Sequence, residues 1–162
     1  MKSSKIARIA AVALVAAASS AAFAVQDNAT LTVTATVAAK CKLTLSGAMA
    51  FGSLDPTLSS DPTATATASY KCSKGTPVTS FEVNSVTAGA TGTGGTMTGA
   101  LASPDSIAYT ITWTTPTAFT GDGLGASGTA KTVTLNGKIL NANYVNVKPD
   151  TYTGTIGVAV NY

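Results

Sequence analysis

From Ala29 to Val37 every odd position is apolar (Ala29, Leu31, Val33, Ala35, Val37) and every even position is threonine. A period of two places one set of side chains on each side of an extended backbone, so this stretch reads as a β-strand with one face to bury. Such a strand cannot satisfy its own N–H and C=O groups; it requires a sheet to join. A strand this regular so near a chain end raises the question of whose sheet that is.

The same period recurs downstream. Cys41, Leu43, Leu45, Met49 and Phe51 share the odd phase, and Ala64, Ala66, Ala68, Tyr70 and Cys72 share an even one. Phe81 and Val83 mark a short strand, and Ile107, Tyr109, Ile111 and Trp113 the most convincing central one. Val133, Leu135 and Ile139 predict another strand, interrupted at Gly137. Tyr152, Ile156, Val158, Val160 and Tyr162 predict a last strand that runs to Tyr162, with nothing beyond it to pair with. Ser59–Pro62, Gly89–Gly99 and Gly121–Gly125 read as surface loops. No segment after residue 24 has a helical period, so the predicted class is all-β, a sandwich of short strands.

The start of the chain reads as an export signal. Lys2, Lys5 and Arg8 precede the short apolar run Ile9–Ala18, and Ala22-Phe23-Ala24 has the pattern of a cleavage site. Residues 1–24 are thus predicted to be removed, with Val25 the first mature residue. No later segment predicts a membrane span. Removing the signal also removes three of the ten basic residues. The remaining seven lysines balance seven acids, with no arginine and no histidine. Nucleic-acid binding, which leans on clustered Lys and Arg, is not expected from such a chain.

Cys41 and Cys72 lie in the exported part, where an even pair predicts one disulfide. A redox or metal pair lacks both a C-x-x-C spacing and a histidine. Catalytic machinery is hard to assemble from these residues. The absence of histidine removes the usual Ser-His-Asp and Cys-His pairs, and nothing pairs the six aspartates or Glu82. Asp122 between glycines reads as a turn rather than a calcium loop. The glycines from Gly89 lack the context of a phosphate cradle. Trp113 and Tyr109 share the core phase of their strand, whereas Phe119 and Tyr144 remain open between core and a sugar-binding face. No cofactor or metal is expected.

Taken in order, these features resemble those of one family. The alternating extension before Cys41, Phe51-Gly52 followed by Asp55-Pro56, and Cys72 followed by Gly75-Thr76 are three of its marks. The turn containing Tyr152 and the terminal Ile-x-Val-x-Val-x-Tyr strand complete them. The chain resembles an archaic chaperone–usher pilin, a fimbrial subunit of the spore-coat-protein-U-like family. That resemblance implies an incomplete immunoglobulin-like β-sandwich lacking its final strand and completed by donor-strand complementation. It implies residues 25–38 as a donor-strand extension, with Ala29, Leu31, Val33, Ala35 and Val37 as its plugs, and residues 39–162 as the pilin domain. The acceptor groove would be bordered by Leu43 and Leu45 on one side and by Ile156, Val158, Val160 and Tyr162 on the other. The implied partners are other copies of the chain or related pilins, a periplasmic chaperone and an outer-membrane usher. The implied destination is a pilus on the cell surface, serving adhesion and biofilm formation. The competing expectation is a secreted monomeric β-sandwich that binds carbohydrate or protein through its loops, with residues 29–37 paired inside their own domain.

Overall fold

Alternating apolar and polar positions organise the chain into ten strands among the residues that the computed structural model describes, namely 26–87, 89, 91–101 and 104–162. The export signal and cleavage site expected from the sequence lie outside the described residues. The chain divides into two compact units, Met1–Thr36 and Val37–Tyr162. In the first, residues 26–36 form no strand, and Leu31 and Val33 are 88% and 84% exposed. The strand read at Ala29–Val37 is therefore not formed within this chain. The physical reason is the one already given: a lone segment has no ladder to complete its backbone hydrogen bonds.

The second unit is all-β, with the sheet arrangement of an immunoglobulin-like sandwich. Its strands are β1 (Cys41–Ser46), β2 (Thr63–Cys72), β3 (Pro77–Val78), β4 (Ser80–Val83) and β5 (Thr93–Gly99). They are followed by β6 (Ser106–Trp113), β7 (Phe119–Thr120), β8 (Lys131–Lys138), β9 (Tyr152–Thr153) and β10 (Val158–Asn161). Six strands form one antiparallel sheet in the order β1-β2-β8-β6-β5-β9; β10 pairs with β4 and β3 with β7. The inner face of the large sheet supplies Ala68, Tyr70, Ile107, Ile111, Trp113, Val133 and Leu135, all buried against Val78, Phe81 and Val83. Tyr70 stacks on Phe81 across the two layers, with ring centroids 6.0 Å apart. Trp113 and Tyr109 are core residues, as their phase implied.

Three strand expectations change. Thr93–Gly99, read as part of a glycine loop, is a strand paired to β6 from Thr93↔Ile111 to Thr98↔Ser106. Its glycines mislead because the strand has little side chain of its own to bury. A Cβ at Gly95 would collide with the Tyr109 ring, so the missing side chain is what lets that ring lie across β5. Gly137 does not interrupt β8 either, which pairs continuously through it with β2 and β6. A Cβ there would overlap Met49 Sδ and stand 2.8 Å from the Phe51 ring. The glycine is thus a seat for the segment after β1. Gly137→Val should overpack this seat and destabilise the domain by about 1–3 kcal/mol in urea unfolding. An unchanged midpoint would refute the assignment.

The third change concerns the last strand. Tyr152–Thr153 pairs with β5 in the large sheet, whereas Val158–Asn161 pairs with β4 in the opposite layer. One alternating stretch therefore crosses from one sheet to the other through Gly154–Gly157, and the strand read as continuous is two.

Candidate functional site: an open cleft between two strand edges

The disulfide is formed. Cys41 and Cys72 are directly opposed in the β1–β2 register and bonded to each other. It ties the start of β1 to the end of β2, the only strand among the described residues with which β1 pairs. The far edge of β1 is bare, and Leu45 on it is 50% exposed.

β10 is similarly one-sided. Its register with β4 runs from Val158↔Val83 to Asn161↔Ser80. At one end the Thr79 N–H donates to the Asn161 carbonyl at 2.9 Å, and the Asn161 amide donates to Ser80 Oγ and Glu82 Oε1, each at 2.7 Å. At the other end Asn84 and Ser85 make a two-residue hairpin, with φ of 48° and 63°. Asparagine tolerates this left-handed conformation, which matches the twist of the strands it joins. The Asn84 N–H donates to the Gly157 carbonyl at 2.8 Å, and its Oδ1 accepts the Gly157 N–H at 2.9 Å. One edge of β10 is thus fastened at both ends, while among the described residues no strand pairs with the other.

Parts of β1 and β10 approach within 8 Å, Cα to Cα, without pairing. Between them lies a cleft of about 360 Å³. Leu45 forms one wall, Ile156 and Val158 the other, and Ala66, Tyr109 and Leu135 the floor. Through Met49, Phe51, Met97 and Tyr152 it continues into a cavity of about 550 Å³ beside Val147–Asp150. The floor is apolar, and the phenol of Tyr109 is pushed up by burial. The Tyr109 hydroxyl donates to the Thr155 carbonyl, at 3.4 Å.

Of the residues named from the sequence, Leu43, Ile156, Val158 and Val160 are half-buried, while Leu45 and Tyr162 are half-exposed. Leu45, Ile156 and Val158 come together around the one cleft. Leu43 lies on β1 and Val160 on β10, further along the same two strands. Met49, Phe51, Ala66, Tyr109 and Leu135 were not anticipated as lining. The odd phase that carries on from Leu45 to Phe51, together with the small residue at position 137, was the available signal.

The remaining candidates fall outside this cleft or play other parts. Tyr144 is buried, its hydroxyl donating to the Ser60 carbonyl at 2.9 Å. Phe119 packs edge-on against Tyr70, with the Lys131 ammonium 4.9 Å above its ring. Both are packing residues. The Asp122 carboxylate accepts the Thr129 N–H at 2.9 and 3.0 Å and closes the glycine-rich turn. The Thr129 hydroxyl and N–H hold its pKa below the usual carboxylate range. Among the described residues no three of His, Cys, Asp and Glu gather in a way that could hold a metal ion.

The arrangement is an open, apolar-floored cleft between two strand edges. The Spore Coat Protein U domain matches the chain over residues 27–159. The chain belongs to that family. No curated protein and no solved structure matches it. The Spore Coat Protein U match spans both the exposed stripe at Leu31–Val37 and the cleft, and membership fits a structural subunit of surface fimbriae.

Proposed function

We propose that this chain is a structural pilus subunit, not an enzyme, that polymerises head to tail by donor-strand exchange through the chaperone–usher pathway. In this reading residues 1–24 direct export and residues 39–162 form a sandwich lacking its final strand. Residues 25–38 are the strand that each copy gives to the next. A periplasmic chaperone holds the cleft until an outer-membrane usher lets the neighbour's extension replace it. The finished fibre stands on the cell surface and supports adhesion and biofilm formation.

The observation that carries the reading is the cleft between two bare strand edges, with an apolar floor. A bare edge above an apolar slot is an aggregation hazard unless something covers it. An extended segment supplies backbone groups to both edges and every second side chain to the floor. Ala29, Leu31, Val33, Ala35 and Val37 have that spacing, and Leu31, Val33 and Val37 stand 84–90% exposed. Each of these three contributes roughly 1.5–3 kcal/mol if fully buried. Because the donated segment differs from the slot that receives it, the contact does not close on itself, and its product is a fibre.

Leu31→Asp and Val33→Asp test the reading. Either would bring an unpaired charge into the slot. Both variants should retain the β-sheet circular dichroism of the wild type, since neither residue lies in the folded unit. Neither should yield surface fibres in electron micrographs. Fibres of normal length from both would overturn the assignment of these side chains to the slot.

A further inference from the structure

The seven lysines and seven acids after residue 24 cancel in number but not in space. The sheet register sorts them along the strand direction. At one end β1 begins and β2 finishes, with Lys42 directly opposite Lys71. Lys131, opposite Tyr70, starts β8 at the same level. Lys40 accepts the Ser73 N–H through its carbonyl and so sits at this end, and Lys74 follows in the next turn. Asp122 is placed at this end by the Gly123 N–H on the Cys72 carbonyl, and Glu82, next to the Phe81 that stacks on Tyr70, accepts the Asn161 amide toward the same end.

The opposite end is acidic. Asp61 precedes β2 and pairs with Lys138 at 2.9 Å. Asp105 precedes β6 and accepts the Lys148 N–H at 2.8 Å. Asp150 precedes β9 and accepts the Leu101 N–H at 2.9 Å. Asp55 is joined to this end through Leu58, whose carbonyl accepts the Asn141 amide at 2.8 Å. Four aspartates thus stand with two lysines here, against five lysines with Asp122 and Glu82 toward the far end.

We propose that the lysine-rich end of one copy docks on the aspartate-rich end of the next, an electrostatic contact that orients head-to-tail growth. The direction of this contact rests on the donor-strand reading. The extension joins β1 at Lys40–Cys41, on the basic end, while the larger cavity continuing the cleft opens beside Lys148–Asp150, on the acidic end. A segment leaving the basic end of one copy therefore enters its neighbour beside the acids. Within a single copy the lysine cluster is a cost, because like charges directly opposite on paired strands repel. A neighbour's aspartates relieve it. Such complementarity acts mainly on the rate and orientation of encounter.

Charge reversal tests the contact in the exported chain. Lys40→Glu, Lys42→Glu and Lys74→Glu together invert the basic end at exposed positions. Ser60→Lys, Ala142→Lys and Thr151→Lys, also exposed, invert the acidic end while leaving the aspartate hydrogen bonds in place. In about 10 mM salt, where charges are felt over about 30 Å, the first triple variant should extend fibres about tenfold more slowly than the wild type. Combining both triples should restore the rate to within about twofold, and about 1 M salt should erase the differences. An unchanged rate on reversing one end, or no recovery on reversing both, would overturn the proposal. A second arm repeats the comparison by sedimentation in a Leu31→Asp background, which cannot donate its strand. Weak low-salt self-association should be present with native ends, lost with one end reversed and regained with both. If the wild type forms no fibres, the donor-strand reading fails, and sedimentation alone decides whether the ends attract.

Discussion

A chain carrying a second copy of residues 25–38 behind Tyr162, through a short linker, is expected to be a soluble monomer that melts at least about 15 °C above the unextended chain. The linker places the added segment at the end of β10, next to the bare edge of that strand. Residues 29–37 of the copy can then lie between β10 and β1, supplying backbone partners to both. Their apolar side would cover Leu135, Tyr109 and Ala66, which now floor an open cleft. Joining donor and acceptor in one molecule removes the entropic cost of bringing two chains together, so the gain appears at any protein concentration. The extended chain should also fold without a chaperone. A control copy with aspartate at its Leu31 and Val33 positions should give no gain. Calorimetry decides the matter, and equal melting temperatures for the chains with and without the native copy would remove the idea of a missing strand.

Replacing both Cys41 and Cys72 with alanine should cost about 3–4 kcal/mol, the entropy of a chain loop of that length in the unfolded state. The two residues are 31 positions apart in sequence. The loss should exceed what most single substitutions here would cause, because among the described residues β1 pairs with no strand but β2. Urea unfolding of the double variant, and of the wild type with reductant, should give the same lowered midpoint. A loss under about 1 kcal/mol would mean that β1 is held by packing and not by the bond. Under the pilus reading the consequence is functional as well, since a frayed β1 takes one wall of the cleft with it. Fibre yield should then fall further than global stability accounts for.

Much of the fold was legible in the residue order. The period of two at Ala64–Cys72, Ile107–Trp113 and Lys131–Lys138 marked strands that the structure contains, and the phase of Trp113 and Tyr109 placed them in the core. The cysteine pair was readable because two cysteines with no metal-binding spacing and no histidine have few other uses. What misled was glycine. At Gly95 and Gly137 the residue that usually signals a turn is instead a space for an aromatic ring from elsewhere, and only the partner's position reveals that. The cleft was half legible for the same reason. Leu45, Ile156 and Val158 were named through the family resemblance, whereas Ala66 and Leu135 line the cleft only through the way the strands are placed around it.

The division between sequence and structure is clearest at the ends of the strands. Alternation by itself determined that this protein is built of strands, and that residues 29–37 form a stripe seeking a sheet, because side-chain direction follows from backbone geometry alone. Its composition determined that lysines and acids are equal in number after residue 24. Only the tertiary structure decided that the last alternating stretch divides between two layers, leaving β10 with one bare edge opposite the bare edge of β1. Only the register decided that five of the seven lysines gather toward one end and four of the aspartates toward the other. Both outcomes depend on which strand lies beside which, and that is settled by long-range pairing, which no local period encodes.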